Sequence, residues 1–155
     1  MPAPTLARLA LVPALLLMLT LAACGPTGGL APGLVARMDA AGARLDTAAA
    51  LGMINHLRSS RGVPALVSDP ALDAAAQQAA DAYAASAKSP PKPDAAGVIL
   101  TSAGYLTFAE TFSGWRGSEK DTATLADPAM RRAGLAVKWS GSSEFGSYWV
   151  LLLAP

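Results

Sequence analysis

The sequence predicts an α+β domain, and three observations carry that reading. Leu51, Ile54, Leu57 and Arg58 recur with a helical period, and Leu72, Ala76, Ala79 and Tyr83 repeat it further on. From Tyr105 the pattern changes to alternation, which Ala133, Leu135, Val137 and Trp139 take up again. Ser147 to Ala154 is apolar on both faces, as suits a strand covered on both sides. Helices followed by an antiparallel meander of three strands give a small sheet with helices packed on its faces, an α-β-α sandwich.

Taken in order, the chain does not begin with this domain. Arg8 precedes an apolar run from Leu9 to Ala23, which reads as a secretory signal too short to span a membrane. Leu21-Ala22-Ala23-Cys24 resembles a bacterial lipobox, which implies that residues 1–23 are removed and Cys24 is lipidated. The competing reading is a free or buried thiol after ordinary cleavage. The sole cysteine stands where the lipidation chemistry needs it. Gly25 to Gly33 is rich in glycine and proline without periodicity, and residues 24–46 read as a tether. Within it, Leu34 to Leu45 fits either a loose helical turn or more linker.

The domain then spans 47–155. Asp46 or Thr47 caps a first helix that runs through about Ser60, and Gly62 follows its basic last turn. Val63 to Leu66 is an extended link. Asp69-Pro70 restarts a helix with a carboxylate cap and a proline at the first position, running to about Lys88, where the prolines from Pro90 break it. Asp94 is expected to cap a short third helix, Ala95 to Ala103, stopped by Gly104. Tyr105 to Phe112 is expected as a strand with Leu106, Phe108, Glu110 and Phe112 on one face. Ser113 to Asp127 is polar and irregular, with one helical turn near Glu119 to Leu125. Ser140 to Gly146 closes a hairpin between the last two strands.

Loss of Arg8 with the signal balances acidic and basic groups, which argues against nucleic acid as a partner. With Cys24 consumed, no disulfide can form within the chain, so stability rests on an adequate but modest core. One histidine and one cysteine cannot supply a zinc site, and no cofactor is implied.

Asn55, Arg58, Gly62, Leu66, Asp69 and Leu72 form the pattern N-x-x-R-x-x-x-G-x-x-x-L-x-x-D-x-x-L. It resembles the opening of the CAP superfamily, the SCP-like extracellular domain, in its compact bacterial form. Ala109-Glu110-Thr111 stands where that family carries G-E-N. Trp115 with Ser118, Leu125 with Pro128, Gly134 to Val137, and Tyr148-Trp149 are similar to later landmarks. The resemblance runs from about Leu51 to Leu153. It implies the sandwich fold and a cleft that in better-preserved members holds two histidines and acidic residues. Here Ser86 to Pro93 contains no histidine, and Asp121 and Thr124 replace the H-x-x-N pair. The short stretch between Glu110 and Trp115 suggests that a helix is missing. Glu110 alone matches a family site residue.

His56 lies about 200° from Ile54 around its helix, off the apolar stripe, and reads as solvent-exposed. Glu110 on an apolar strand face is either a structural carboxylate or a cleft residue. Asp121 and Glu119 offer oxygen ligands for a hard cation or form a solvated loop. Trp115, Trp139, Tyr148 and Trp149 line a groove for a glycan or acyl chain, or pack the core. Asn55, Arg58, Gly62 and Asp69 read as fold determinants, the first two tying the first helix to nearby backbone and carboxylates.

The resemblances together imply an exported, palmitate-bearing lipoprotein anchored through Cys24, on the periplasmic face of the outer membrane in a Gram-negative cell. With its cleft histidines absent, the domain is expected to bind a cell-envelope glycan, lipid or protein without catalysis. The alternatives are a divergent envelope hydrolase using Glu110 and Asp121 as acid and base, or a carrier of an apolar ligand.

Overall fold

A strand that is apolar on both faces has to be covered on both, and the last strand sets the architecture. The computed structural model describes residues 29–155. In chain order these form α1 (Pro32–Val35), α2 (Thr47–Ser60), β1 (Val67–Ser68), α3 (Pro70–Ser86), β2 (Val98–Ala103), α4 (Phe108–Gly117), α5 (Glu119–Leu125), β3 (Arg132–Trp139) and β4 (Ser147–Ala154). All eight residues of β4 are buried. The sheet order is β1-β3-β4-β2, with β4 antiparallel to both neighbours and β1 parallel to β3. The signal peptide, Cys24 and the start of the tether lie outside the described residues.

Alternation along β4 divides the core in two. Trp149, Leu151 and Leu153 face a cluster with Leu100, Leu135, Ile54, Phe108, Phe112, Trp115 and Leu125. Val150, Leu152 and Ala154 face Leu72, Ala76, Ala79 and Ala80 of α3. The α+β sandwich expected from the sequence is therefore the fold, with one strand more than expected. That count covers an exchange: β1, two residues long with no periodicity to read, and β2 are strands not expected as such, and the strand expected at Tyr105–Phe112 is not one.

Small residues bring α3 unusually near the sheet. A Cβ on Gly134 would stand 2.1 Å from the Leu72 carbonyl carbon and 2.4 Å from the Asp73 nitrogen, so only glycine fits β3 there. The start of α3 is then fastened to β3. Asp69 N–H donates to the Ala133 carbonyl at 2.9 Å, and Leu135 N–H donates to the Asp73 carboxylate at 3.0 Å.

Two expected elements change type. Val98–Ala103 was expected as part of a helix spanning Ala95 to Ala103; it is β2, paired with Tyr148–Leu153 along β4. Strand β4 is buried, so its second backbone edge needs a hydrogen-bonding partner, and the β-branched Val98, Ile99 and Thr101 suit that role. Tyr105–Phe112 was expected as a strand; from Phe108 it is helix α4. The segment from Ser113 to Asp127, expected as irregular with one helical turn near Glu119 to Leu125, holds the rest of α4, and the expected turn is α5.

Packing also begins before the expected domain start at residue 47. Leu34 and Met38 are buried in the larger cluster. Met38 N–H donates to the Leu106 carbonyl at 2.8 Å, and the Ser147 hydroxyl donates to the Met38 carbonyl at 3.1 Å. The portion of the expected tether from Pro32 onward thus packs against the domain.

Candidate functional site

Glu110 was expected, from the family resemblance, at a cleft; the structure gives it a local task. Thr107 precedes α4, and its hydroxyl accepts from Glu110 N–H at 3.2 Å. One Glu110 carboxylate oxygen, Oε2, accepts from Leu106 N–H and Thr107 N–H, each at 3.0 Å. This is a reciprocal capping box, satisfying backbone donors that a helix start leaves open. The side chain is exposed at the start of α4, whereas a strand would have placed it with Phe108 and Phe112. Glu110 and Trp115 both lie on α4.

Asp121 belongs to a second, similar start. The Ser118 hydroxyl accepts from Asp121 N–H at 3.2 Å and caps α5. Glu119 and Asp121 occupy the first turn of that helix, where negative charge complements its dipole. Among the described residues, no three or more histidine, cysteine or acidic side chains converge to hold a metal.

The aromatic candidates divide between core and rim. Trp115 is only 2% exposed, packs edge-on against Phe108, and donates from its indole to the Thr101 carbonyl at 3.3 Å. Trp149 is fully buried and donates to the Tyr105 carbonyl at 2.9 Å. Neither can line an open groove. Trp139 is half-buried at the end of β3 and borders an open groove of about 450 Å³. That groove is lined by Met38, Ala40 to Ala43, Gln77, Val137, Lys138 and Trp139. A second, smaller pocket of about 10 Å³ lies beside Ile54, Leu135 and Leu151, room for about one water and no acyl chain.

Around Tyr148 lies a feature that sequence reasoning missed. Its ring meets Tyr83 edge-on at 4.9 Å and Phe145 at 6.2 Å. Its hydroxyl is buried without a partner among the described residues. Burial, and then the neighbouring Tyr148, push the Tyr83 phenol above its ordinary value. The loop that follows α3 passes nearby. There the Ser89 and Thr101 hydroxyls bond at 2.9 Å.

The residues of the N-x-x-R pattern build the frame. Asn55 exchanges two hydrogen bonds with Leu66, at 2.9 and 2.8 Å, as a strand partner would. The Arg58 side chain is buried and donates to four carbonyl groups: Pro64 at 2.7 Å, Leu125 at 2.8 Å, Asp127 at 3.1 Å and Met130 at 2.9 Å. Its hydrogen-bond partners are backbone carbonyls, and no carboxylate is among them. Burial, reinforced by Arg131, lowers its pKa from the usual guanidinium value. Gly62 takes a left-handed φ of 68° after α2. The Asp69 carboxylate caps α3 through Ala71 N–H at 2.9 Å and pairs with Arg132 at 2.6 Å. These bonds, the backbone one first, hold it below the usual carboxylate range. His56 is exposed on α2.

The sheet with helices packed on both of its faces defines the class of the domain. The chain belongs to the cysteine-rich secretory protein family, CAP, whose model matches residues 51–153. The fold is similar to that of MpPR-1i, at 18% identity and a TM-score of 0.58, covering 70% of this chain and 86% of that one. It is also similar to an outer surface protein from Borrelia burgdorferi, at 13% identity and a TM-score of 0.59, covering 70% and 92%. An extracellular protein with an SCP domain from Bacillus anthracis aligns at 14% identity and a TM-score of 0.54, over 68% of this chain but 39% of its own. At these identities the likenesses establish the fold alone. No curated protein matches the chain by sequence.

Proposed function

We propose that this chain is an exported, lipid-anchored CAP domain that binds a component of the cell envelope without catalysis. The observation that carries the non-catalytic reading is the engagement of Glu110. The one side chain matching the family's cleft holds the two backbone N–H groups before α4, and no histidine joins it. Asp121 sits at the start of a different helix, and no observation favours an acid–base pair with Glu110. Anchoring rests on Leu21-Ala22-Ala23-Cys24 ahead of a glycine- and proline-rich stretch. An outer surface protein among the structural neighbours is consistent with display at an envelope.

Two measurements test this. Cys24→Ser should abolish incorporation of labelled palmitate and release the chain from membranes or block its processing. Unchanged labelling and retention would overturn the anchoring. The full chain and its Glu110→Gln variant should show the same background turnover of ester and muropeptide probes. A rate present in the first and lost in the second would overturn the non-catalytic reading.

A further inference from the structure

The two ends of the sandwich differ in where the chain enters. At one end β2 stops at Ala103, opposite Tyr148, and the hairpin of residues 140–146 joins β3 to β4. The described chain arrives at this end. Met38 N–H donates to the Leu106 carbonyl, and the Ser147 hydroxyl donates to the Met38 carbonyl. Gly33 of α1 lies against the side chain of Asp46, the cap of α2. The other end holds the last turn of α2, where Arg58 donates to the Met130 carbonyl just before β3. It also holds Pro155, whose carbonyl accepts from the Arg132 side chain at 3.0 Å.

Among the described residues, five large apolar side chains are exposed: Leu30, Val35, Val67, Tyr105 and Phe145. A single exposed apolar residue is ordinary, but four of these five belong to the entry end. Leu30 precedes α1 and Val35 is its last residue. Tyr105 adjoins Leu106, the residue to which Met38 is bonded. The Phe145 carbonyl accepts from Ser147 N–H at 2.9 Å, and Ser147 is the other residue bonded to Met38. Val67 stands apart at the far end, opposite Arg132. Beside Val35, Arg37 and Asp39 pair with each other and add no net charge to the apolar group.

We propose that the entry end of the domain rests on the lipid bilayer that holds the Cys24 anchor, with Leu30, Val35, Tyr105 and Phe145 in the interface. This rests on the acylation of Cys24 proposed above. Leu34 and Met38 are buried in the core, so the link from the anchor ends before them and not at residue 46. From Cys24 to Gly29 a fully extended chain reaches roughly 18 Å. A folded domain is about 30 Å across, too thick for the space that such a link leaves between this end and the leaflet. Lipid is therefore the occupant, in place of a second copy or a folded partner. Aliphatic side chains and a tyrosine with its polar tip suit the boundary between headgroups and acyl chains. The anchor supplies the proximity. A short link keeps the local concentration roughly millimolar, so a few side chains are enough to orient the domain. The far end, with β1 and Pro155, then faces away from the membrane.

The test uses the full chain, matured in a bacterial envelope and reconstituted in phosphatidylcholine vesicles, where net lipid charge plays no part. Cys24 is the sole cysteine, so acylation leaves an introduced cysteine as the only thiol to label. Val35→Cys, Phe145→Cys and Val67→Cys each carry one nitrobenzoxadiazole fluorophore, read with and without nitroxide-bearing lipid. The nitroxide should quench most of the emission at Val35 and Phe145 and little of it at Val67. Leu30→Ser with Val35→Ser should release the Phe145→Cys label from quenching and leave the circular dichroism unchanged, since both side chains are exposed. Quenching at none of the three positions, equal quenching at all three, or undiminished quenching in the serine variant would overturn the proposal. So would emission that rises with the protein-to-lipid ratio and ignores the nitroxide, the mark of a second copy. The mass of the purified chain separates the two readings. A chain without a diacylglyceryl group overturns the anchoring and this proposal with it. An acylated chain whose Val35 and Phe145 labels are not quenched overturns this proposal alone.

Discussion

Arg58 shows how a single residue fixes distant parts of the chain. Its guanidinium reaches from α2 to carbonyls 67 to 72 residues away, and none of those acceptors can be read from the sequence. The residue stands out in the sequence pattern, and its partners do not, because backbone carbonyls leave no residue signature. Arg58→Ala leaves four acceptors without their donor, the Leu125 carbonyl fully buried and the others partly so, and opens a cavity; it should cost about 3 kcal/mol or more in urea unfolding. Arg58→Lys keeps a charge but not the planar fork, and should recover less than half of that loss. By contrast, His56 is exposed and bonded to nothing in the frame, so His56→Gln should leave stability within about 0.5 kcal/mol. A larger loss would show a contact that the exposed face of α2 does not reveal.

At the scale of elements, reading succeeded where a pattern was long and failed where it was short. Helices α2 and α3 and strands β3 and β4 are each at least eight residues with one clear period, and caps mark α2 and α3. Val98–Ala103 is a short apolar run between Asp94 and Gly104, which resemble helix caps, and periodicity alone cannot tell such a run from a helix. Its β-branched residues were the usable signal. Leu106, Phe108, Glu110 and Phe112 satisfy alternation, yet Phe108, Phe112 and Trp115 also recur at i, i+4 and i+7. Thr107-Phe108-Ala109-Glu110 carries the capping-box spacing that settles the ambiguity toward helix. The meeting of Gly134 with α3 is a matter of tertiary approach and was out of reach of the sequence. Gly134→Ala should therefore cost about 3 kcal/mol, at the upper end for overpacking, because the atoms it meets are backbone. A variant within about 0.5 kcal/mol of the parent would show that α3 can move away freely.

Across the whole molecule, the α3 layer and the sheet are joined at Asp69, which caps the helix and pairs with Arg132 on β3. Its pKa is lowered in the folded chain, so the folded state binds fewer protons at this group than the unfolded chain. The stabilisation is complete above the unfolded value of about 3.9 and is lost as pH falls through the lower folded value. Asp69→Asn should flatten that acid limb of the stability profile; an unchanged limb would place its origin elsewhere. The broader account is of a CAP-family domain in which Glu110 caps α4. The most direct measurement is urea unfolding of the full chain with Glu110→Gln, Glu110→Ala and the Thr107→Ala/Glu110→Ala pair. Gln can still accept the same N–H groups, so its loss should stay within about 0.5 kcal/mol, and Ala should lose about 1 kcal/mol. The pair should lose less than the sum of its single changes, since each half of the box depends on the other. No loss for Ala would contradict the capping role and return Glu110 to the candidates for chemistry, whereas a loss of about 3 kcal/mol for Gln would contradict it by revealing a charged structural partner beyond the capping box.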